Sequence, residues 1–182
     1  FLAGRLYWTL AWLGHSQLAY LDGGMVKWLK EERPFQDGPT KPTLCSNQWH
    51  FKPNLMIDGS TLHRQLGAYQ VWDTRSYEEY TGSFRNAIQA GHIPGAIHFE
   101  WSEFLNPQTD TLHPLSTLPG RLEHVGIDIN KPTVVYCQAH VRSAFAFMIG
   151  QLLGFKTLIG YVGGWQEWGN DCQFPIECSK TN

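Results

Sequence analysis

The chain has 182 residues, with 14 Lys+Arg against 16 Asp+Glu, a formal net charge of −2, and 16% charged beside 42% hydrophobic residues. That balance excludes a disordered or supercharged chain and leaves no basic excess to attract nucleic acid or an anionic membrane. The length suits one domain, or one domain plus a fragment.

The first stretch, RLYWTLAWLG, has helical character, and the opening FLAGRLYWTLAWLG resembles a signal-peptide core. A repeat accounts for it better. Leu13-Gly14, Leu18, Gly23-Gly24 and Trp28 recur as Leu153-Gly154, Leu158, Gly163-Gly164 and Trp168, all at an offset of 140. Each copy reads as an apolar helix, Leu-Gly, a short apolar stretch (QLAYLDGG, TLIGYVGG), a Gly-Gly turn, an aromatic-rich helix and then a proline, Pro34 or Pro175. The expectation is a duplicated unit of which the first copy lacks roughly 85–90 residues. Residues 34–53 hold four prolines and little periodicity, as an interdomain connector does.

From residue 54 onward strand and helix signals alternate. NLMID is a short strand with Asp58 as a helix cap, QVWDTR a second strand, and Ser76 a cap for the helix YEEY. GHIPGAIHFE is a turn running into a strand, and LSTLPGRLEHVG has helical spacing that puts Leu118, Leu122 and Val125 on one face. PTVVY reads as a fully buried strand, followed by helix RSAFAFMIGQLLG, strand TLIGYV and a helix at Trp165–Trp168. Such alternation predicts an α/β fold, a mostly parallel central sheet with helices on both faces and a ligand site beyond the carboxyl ends of the strands.

The buried strand ends in Cys137-Gln138-Ala139-His140-Val141-Arg142-Ser143, where a long helix begins. Loop amides and the positive end of the helix converge on a Cys placed there, which favours a thiolate, and Arg142 adds a permanent cation. An isolated Cys is more often a small core residue, but strand, Cys, four residues, Arg and helix in succession favour chemistry. The other cysteines, Cys45, Cys172 and Cys178, show no zinc-ribbon or thioredoxin spacing. Low cysteine density fits a reducing, cytoplasmic setting, with a Cys172–Cys178 bridge left open. No stretch approaches the ~18 uncharged apolar residues of a membrane span.

Together these pieces resemble the rhodanese (sulfurtransferase) family. The matching segments are Val71-Trp72-Asp73-Thr74-Arg75, Gly91-His92-Ile93-Pro94-Gly95-Ala96, the Cys137–Arg142 loop and Gly163-Gly164-Trp165, in order over nearly all of 54–170. The resemblance implies a rhodanese-like fold and a catalytic domain at 54–182. It also implies a linker at 39–53 and, at 1–38, the C-terminal portion of a first, non-catalytic rhodanese-like domain. Related phosphatases carry one residue more between Cys and Arg, whereas the four here suit a sulfane sulfur. The CQAHVR loop is similar to the Cys-Gln-Thr-His-His-Arg loop of a bacterial tandem thiosulfate sulfurtransferase group. Mercaptopyruvate enzymes use two arginines for the substrate carboxylate; Glu79 stands at the first of these positions and Arg85 at the second.

By this resemblance Cys137 is the nucleophile, taking sulfur from thiosulfate as a covalent persulfide and passing it to cyanide or another thiophile. No metal and no other cofactor is expected. Arg142, Gln138, Ala139, His140, Val141, Ser143 and Arg85 would bind substrate. Asp73, Arg75 and Trp101 would support the site, the first two by bracing the sheet edge. His140 would either tune charge near the sulfur or point to solvent, and Arg85 would line the pocket mouth or sit exposed. His92 would be a structural hydrogen-bonder, and Trp72, Trp165 and Trp168 core. Two rival readings stay open: phosphatase or arsenate chemistry, and a persulfide relay module serving a partner protein. The expected partners are a small sulfur donor, a thiophilic acceptor and the absent part of the first domain, with neither nucleic acid nor membrane. Leu6, Trp8 and Trp12 are expected to expose core surface unless that part covers them or the segment packs on the second domain.

Overall fold

The computed structural model describes residues 2–43 and 48–178; Cys45 and the middle of the expected 39–53 linker lie outside the described residues. Two helices lead, α1 (Leu2–Trp12) and α2 (Gly24–Lys30). Then come β1 (Met56–Ile57), α3 (Gly59–Arg64), β2 (Gln70–Asp73), α4 (Tyr77–Thr81), β3 (Ile97–His98) and α5 (Leu118–His124). The chain continues through β4 (Thr133–Tyr136), α6 (Arg142–Leu152), β5 (Leu158–Tyr161) and α7 (Gly164–Trp168). The five strands form one parallel sheet in the order β1-β5-β4-β2-β3.

β4 sits at the centre of that order, and all four of its residues are buried, which is why the β-branched run TVVY carries no polar alternation. Side chains alternate across it. Val135 joins Trp72, Phe99, Phe104 and the α5 leucines Leu118 and Leu122 on one face. Val134 and Tyr136 join Leu62 of α3 and Trp165 and Trp168 of α7 on the other. Helices thus cover both faces. Asp58 caps α3 by accepting from the Thr61 N–H at 2.8 Å, and Ser76 with Glu79 forms a full capping box on α4.

α6 is buried from residue 143 to 150, because the sheet covers one side and α1 the other. Gly4 makes that second contact: a Cβ there would lie 2.4 Å from Phe145 Cα. Trp8 follows one turn later and is 3% exposed, while Leu6 faces outward at 62% and Trp12 is half-buried. Of the three residues expected to expose core surface, Leu6 does so; Trp8 does not, because α1 lays it onto the second unit. Trp12 meets Phe51 at 5.1 Å, where the end of the linker runs back along α1, with the Lys52 N–H donating to the Trp12 carbonyl.

Some sequence boundaries shrink. NLMID yields two strand residues, and among the described residues QLAYL, the counterpart of β5, belongs to no strand. Val125 is exposed because α5 ends at His124, one residue short of carrying it onto the buried face. Cys172 and Cys178 are exposed free thiols. Among the described residues no helix is long and apolar enough to cross a membrane.

Replacing Gly4 by Val should force α1 away from the Phe145 backbone and destabilise the chain by about 1–3 kcal/mol. Thermal unfolding of Gly4→Val beside Leu6→Ala, at an exposed position, checks this: the first midpoint should fall and the second stay within a degree or two.

Candidate active site

β4 delivers Cys137 directly from its C-terminal end, 1% exposed, and α6 begins five residues later. Four of the carbonyls from 137 to 141 are engaged in hydrogen bonds. Cys137 O accepts from the Trp165 N–H at 2.8 Å and Gln138 O from the Gln166 N–H at 2.9 Å. His140 O accepts from Arg5 Nη1 at 2.9 Å, and Val141 O from the Phe145 N–H at 3.3 Å. Among the described residues the N–H groups of 138–143 make no such bond, and they lie at the positive end of α6. Gly164 lets α7 reach the loop: its φ is +57°, and a Cβ would stand 2.4 Å from Cys137 O.

Arg142 is forked onto Glu79, with Nη2 donating to Oε1 at 2.9 Å and Nη1 to Oε2. Burial alone would raise the Glu79 carboxyl, but Arg142, the Ser76 N–H and Asn86 together lower it from 4.5 to about 2. The charge expected to greet an anionic donor is therefore already matched by a carboxylate. Arg5, from α1, has no carboxylate partner among the described residues; burial lowers its pKa and Cys137 acts in the opposite direction.

Within the loop, Ala139 is exposed at the tip, and Gln138 is half-buried with its Nε2 3.4 Å from Asn86 O. Val141 is half-buried as the residue before α6. The His140 ring neither carries charge to the sulfur nor points to solvent. It is 0% exposed, its Nδ1 lies 2.8 Å from Ser143 Oγ, and Trp8 meets it edge-on at 4.6 Å. Burial, with Arg5 as the lesser cause, lowers its pKa to about 3, so the imidazole is neutral at ordinary pH. Its φ of +50° is the left-handed region, unusual outside glycine. Ser143 is buried and spends its hydroxyl on this ring.

Asp73 and Arg75 form a buried pair at 2.6 Å, with Arg75 also donating to Gly91 O at 2.7 Å and lying 4.5 Å over Trp165. Tyr136 donates to Asp73 at 2.5 Å. They lock the carboxyl edge of β2 and β4 beneath the loop, as bracing requires. His92 is likewise structural, with Nδ1 2.7 Å from the Tyr80 carbonyl. Trp101 lies 5.9 Å from Phe145 at the start of α6. Arg85 is exposed and bonded to the backbone carbonyls of Ala87 and Ile88, so it is held in its own loop rather than brought to Cys137.

Sequence reasoning missed Arg5, the partner of Glu79 and the role of Gly160. Arg5 had no signal, because its counterpart at the repeat offset is Phe145. Glu79 was named as standing where related enzymes carry an arginine, but its pairing with Arg142 spans 63 positions. The packing of Gly160 under His140 left no motif; a Cβ there would lie 2.5 Å from the ring.

A family model described as a rhodanese-like domain matches residues 59–171. The chain is 38% identical to the thiosulfate sulfurtransferase of Azotobacter vinelandii and 35% to that of Pseudomonas aeruginosa, covering 96% of this chain and 65% of each relative. It is 30% identical to the sulfur carrier protein TtuD of Thermus thermophilus, covering 66% of it. The chain thus spans just under two thirds of the length of these relatives. Among solved structures, the anaerobic ergothioneine biosynthesis enzyme from Chlorobium limicola, in complex with trimethyl histidine, matches with TM-score 0.86 at 25% identity, over 98% of this chain and 45% of that one.

Glu79→Gln should destabilise the chain at neutral pH by leaving Arg142 partly buried and unmatched. A depressed carboxyl stabilises above its unfolded value and loses that contribution as pH falls through the folded one. The gap between parent and variant should therefore close between pH 4.5 and about 2, read by denaturant midpoints along that range.

Proposed function

Because the chain belongs to the rhodanese family, we propose that its 54–182 unit moves a sulfane sulfur from thiosulfate to a thiophile through Cys137. The thiolate attacks the outer sulfur of thiosulfate, the S–S bond breaks, and sulfite leaves with the electron pair, giving a Cys137 persulfide. Cyanide or a thiolate then attacks the outer persulfide sulfur and returns Cys137 as thiolate. The observation that carries this reading is the cradle itself: a Cys at a strand end whose loop carbonyls accept bonds from elsewhere, while among the described residues its N–H groups stay free for a bound anionic sulfur. Near-complete burial of Cys137 favours a small donor.

The 3-mercaptopyruvate alternative draws less support, because Glu79 occupies Arg142 and Arg85 is bonded to carbonyls, leaving neither free for a substrate carboxylate. Transfer of the persulfide to a partner protein is the second reading, favoured by the similarity to a sulfur carrier protein. The low cysteine content and two exposed free thiols are the support for a cytoplasmic setting.

Residues 1–38 are proposed as the closing part of a first, non-catalytic copy, joined by the 39–53 linker, with the rest of that copy as a partner. Supporting it, Trp28 Nε1 donates to Pro34 O at 3.0 Å and Trp168 Nε1 to Pro175 O at 2.8 Å, and Gly24 and Gly164 share φ values of +56° and +57°.

Mass spectrometry after thiosulfate treatment should find one added sulfur atom on the Cys137 peptide, removed by cyanide and absent in Cys137→Ser. No adduct on the parent chain overturns the proposal. In a panel of thiosulfate, mercaptopyruvate and an aryl phosphate, thiosulfate should be turned over fastest. Slow reaction with cyanide beside fast transfer to a protein thiol would favour the relay.

A further inference from the structure

We propose that Arg5 of α1 is a positioning residue for Cys137, acting through the His140 carbonyl and bringing a cation without a carboxylate partner among the described residues to the loop that holds it. The inference deepens the sulfurtransferase reading and rests on it only for its turnover measurement.

The geometry starts with His140. Its left-handed backbone is a strained conformation that persists only where its surroundings over-determine it. Four contacts do so. Arg5 Nη1 donates to the His140 carbonyl at 2.9 Å, Trp8 packs its edge on the ring, Gly160 supplies the floor, and Ser143 Oγ takes Nδ1. Two of the four come from α1. Arg5 and Trp8 are one helical turn apart, and the guanidinium carbon lies 5.1 Å from the Trp8 ring centroid, so the helix presents both as one unit. Gly4 brings that unit close enough by letting α1 touch the Phe145 backbone. Turning the His140 carbonyl toward Arg5 directs it away from the cradle.

The charges around the sulfur point the same way. Arg142 of α6, whose pKa Cys137 helps to raise, is matched by Glu79 of α4. Behind Tyr136 the Asp73–Arg75 pair is internally balanced. His140, in the loop itself, is neutral. Arg5 is left as the cation without a carboxylate among the described residues, and its pKa is lowered by burial and raised by Cys137. An opposite charge of this kind favours the thiolate over the thiol.

The test uses the whole chain and three variants: Arg5→Met removes donor and charge, Arg5→Gln keeps a donor without charge, and Arg5→Lys keeps the charge. The readout is the pH midpoint of Cys137 alkylation by iodoacetamide, resolved by peptide, with thermal midpoints and thiosulfate kinetics alongside. In Met and Gln the alkylation midpoint should rise by about one pH unit, and in Lys it should return toward the parent. For Met, kcat should fall about tenfold with a smaller change in KM. An unchanged midpoint in the neutral variants, or a Lys variant shifted as far as Met, overturns the inference. A shift in alkylation without any thiosulfate turnover by the parent would overturn the sulfurtransferase reading and leave the role of Arg5 standing.

Discussion

A loop whose amide hydrogens stay unbonded at the positive end of a helix must dispose of its carbonyls elsewhere, and much of this structure serves that requirement. Backbone polar groups removed from water need partners. The carbonyls of Cys137, Gln138, His140 and Val141 find them on α7, on α6 and, through a side chain, on α1. Each donor imposes its own condition. α7 reaches the loop only because residue 164 lacks a Cβ, and α1 reaches α6 only because residue 4 does. The sheet order contributes by placing β4 at the centre, where its carboxyl end can be surrounded by three helices.

Charge is arranged with similar economy. Cys137 raises the pKa of both Arg5 and Arg142, and one carboxylate, Glu79, pairs with the second of them. Glu79 can hold that place because α4 fixes it twice, as the third residue of a capping box and as the partner of Asn86. Beneath the loop, Asp73, Arg75 and Tyr136 are hydrogen-bonded to one another and tied to the neighbouring turn by Gly91 O and the Ile93 N–H. Removing one member would leave a buried group unsatisfied, which is far more damaging than losing a surface pair.

The parallel sheet, the buried strand and the Cys–Arg loop were legible because each is written in contiguous residues: TVVY has no polar alternation, and CQAHVR follows it at once. Leu118 and Leu122 were legible for the same reason, while Val125 was lost to a helix end that shifted by a single residue. The rest was hidden by distance. The Arg5–His140 bond spans 135 positions and joins two segments whose local patterns say only helix and loop. The orientation of His140 depended on what lay beneath it, and Gly160 within TLIGYV gives no sign of serving as the floor for a ring. Long-range pairings of this kind come from topology, which periodicity does not encode.

The depth at which α6 is buried bears on how the site can move. Residues 143–150 lie between the sheet and α1 and are buried throughout. The loop is rooted on that helix at one end and on the central strand at the other. Displacing Cys137 would therefore require β4 or α6 to loosen from the core, not the loop alone to move.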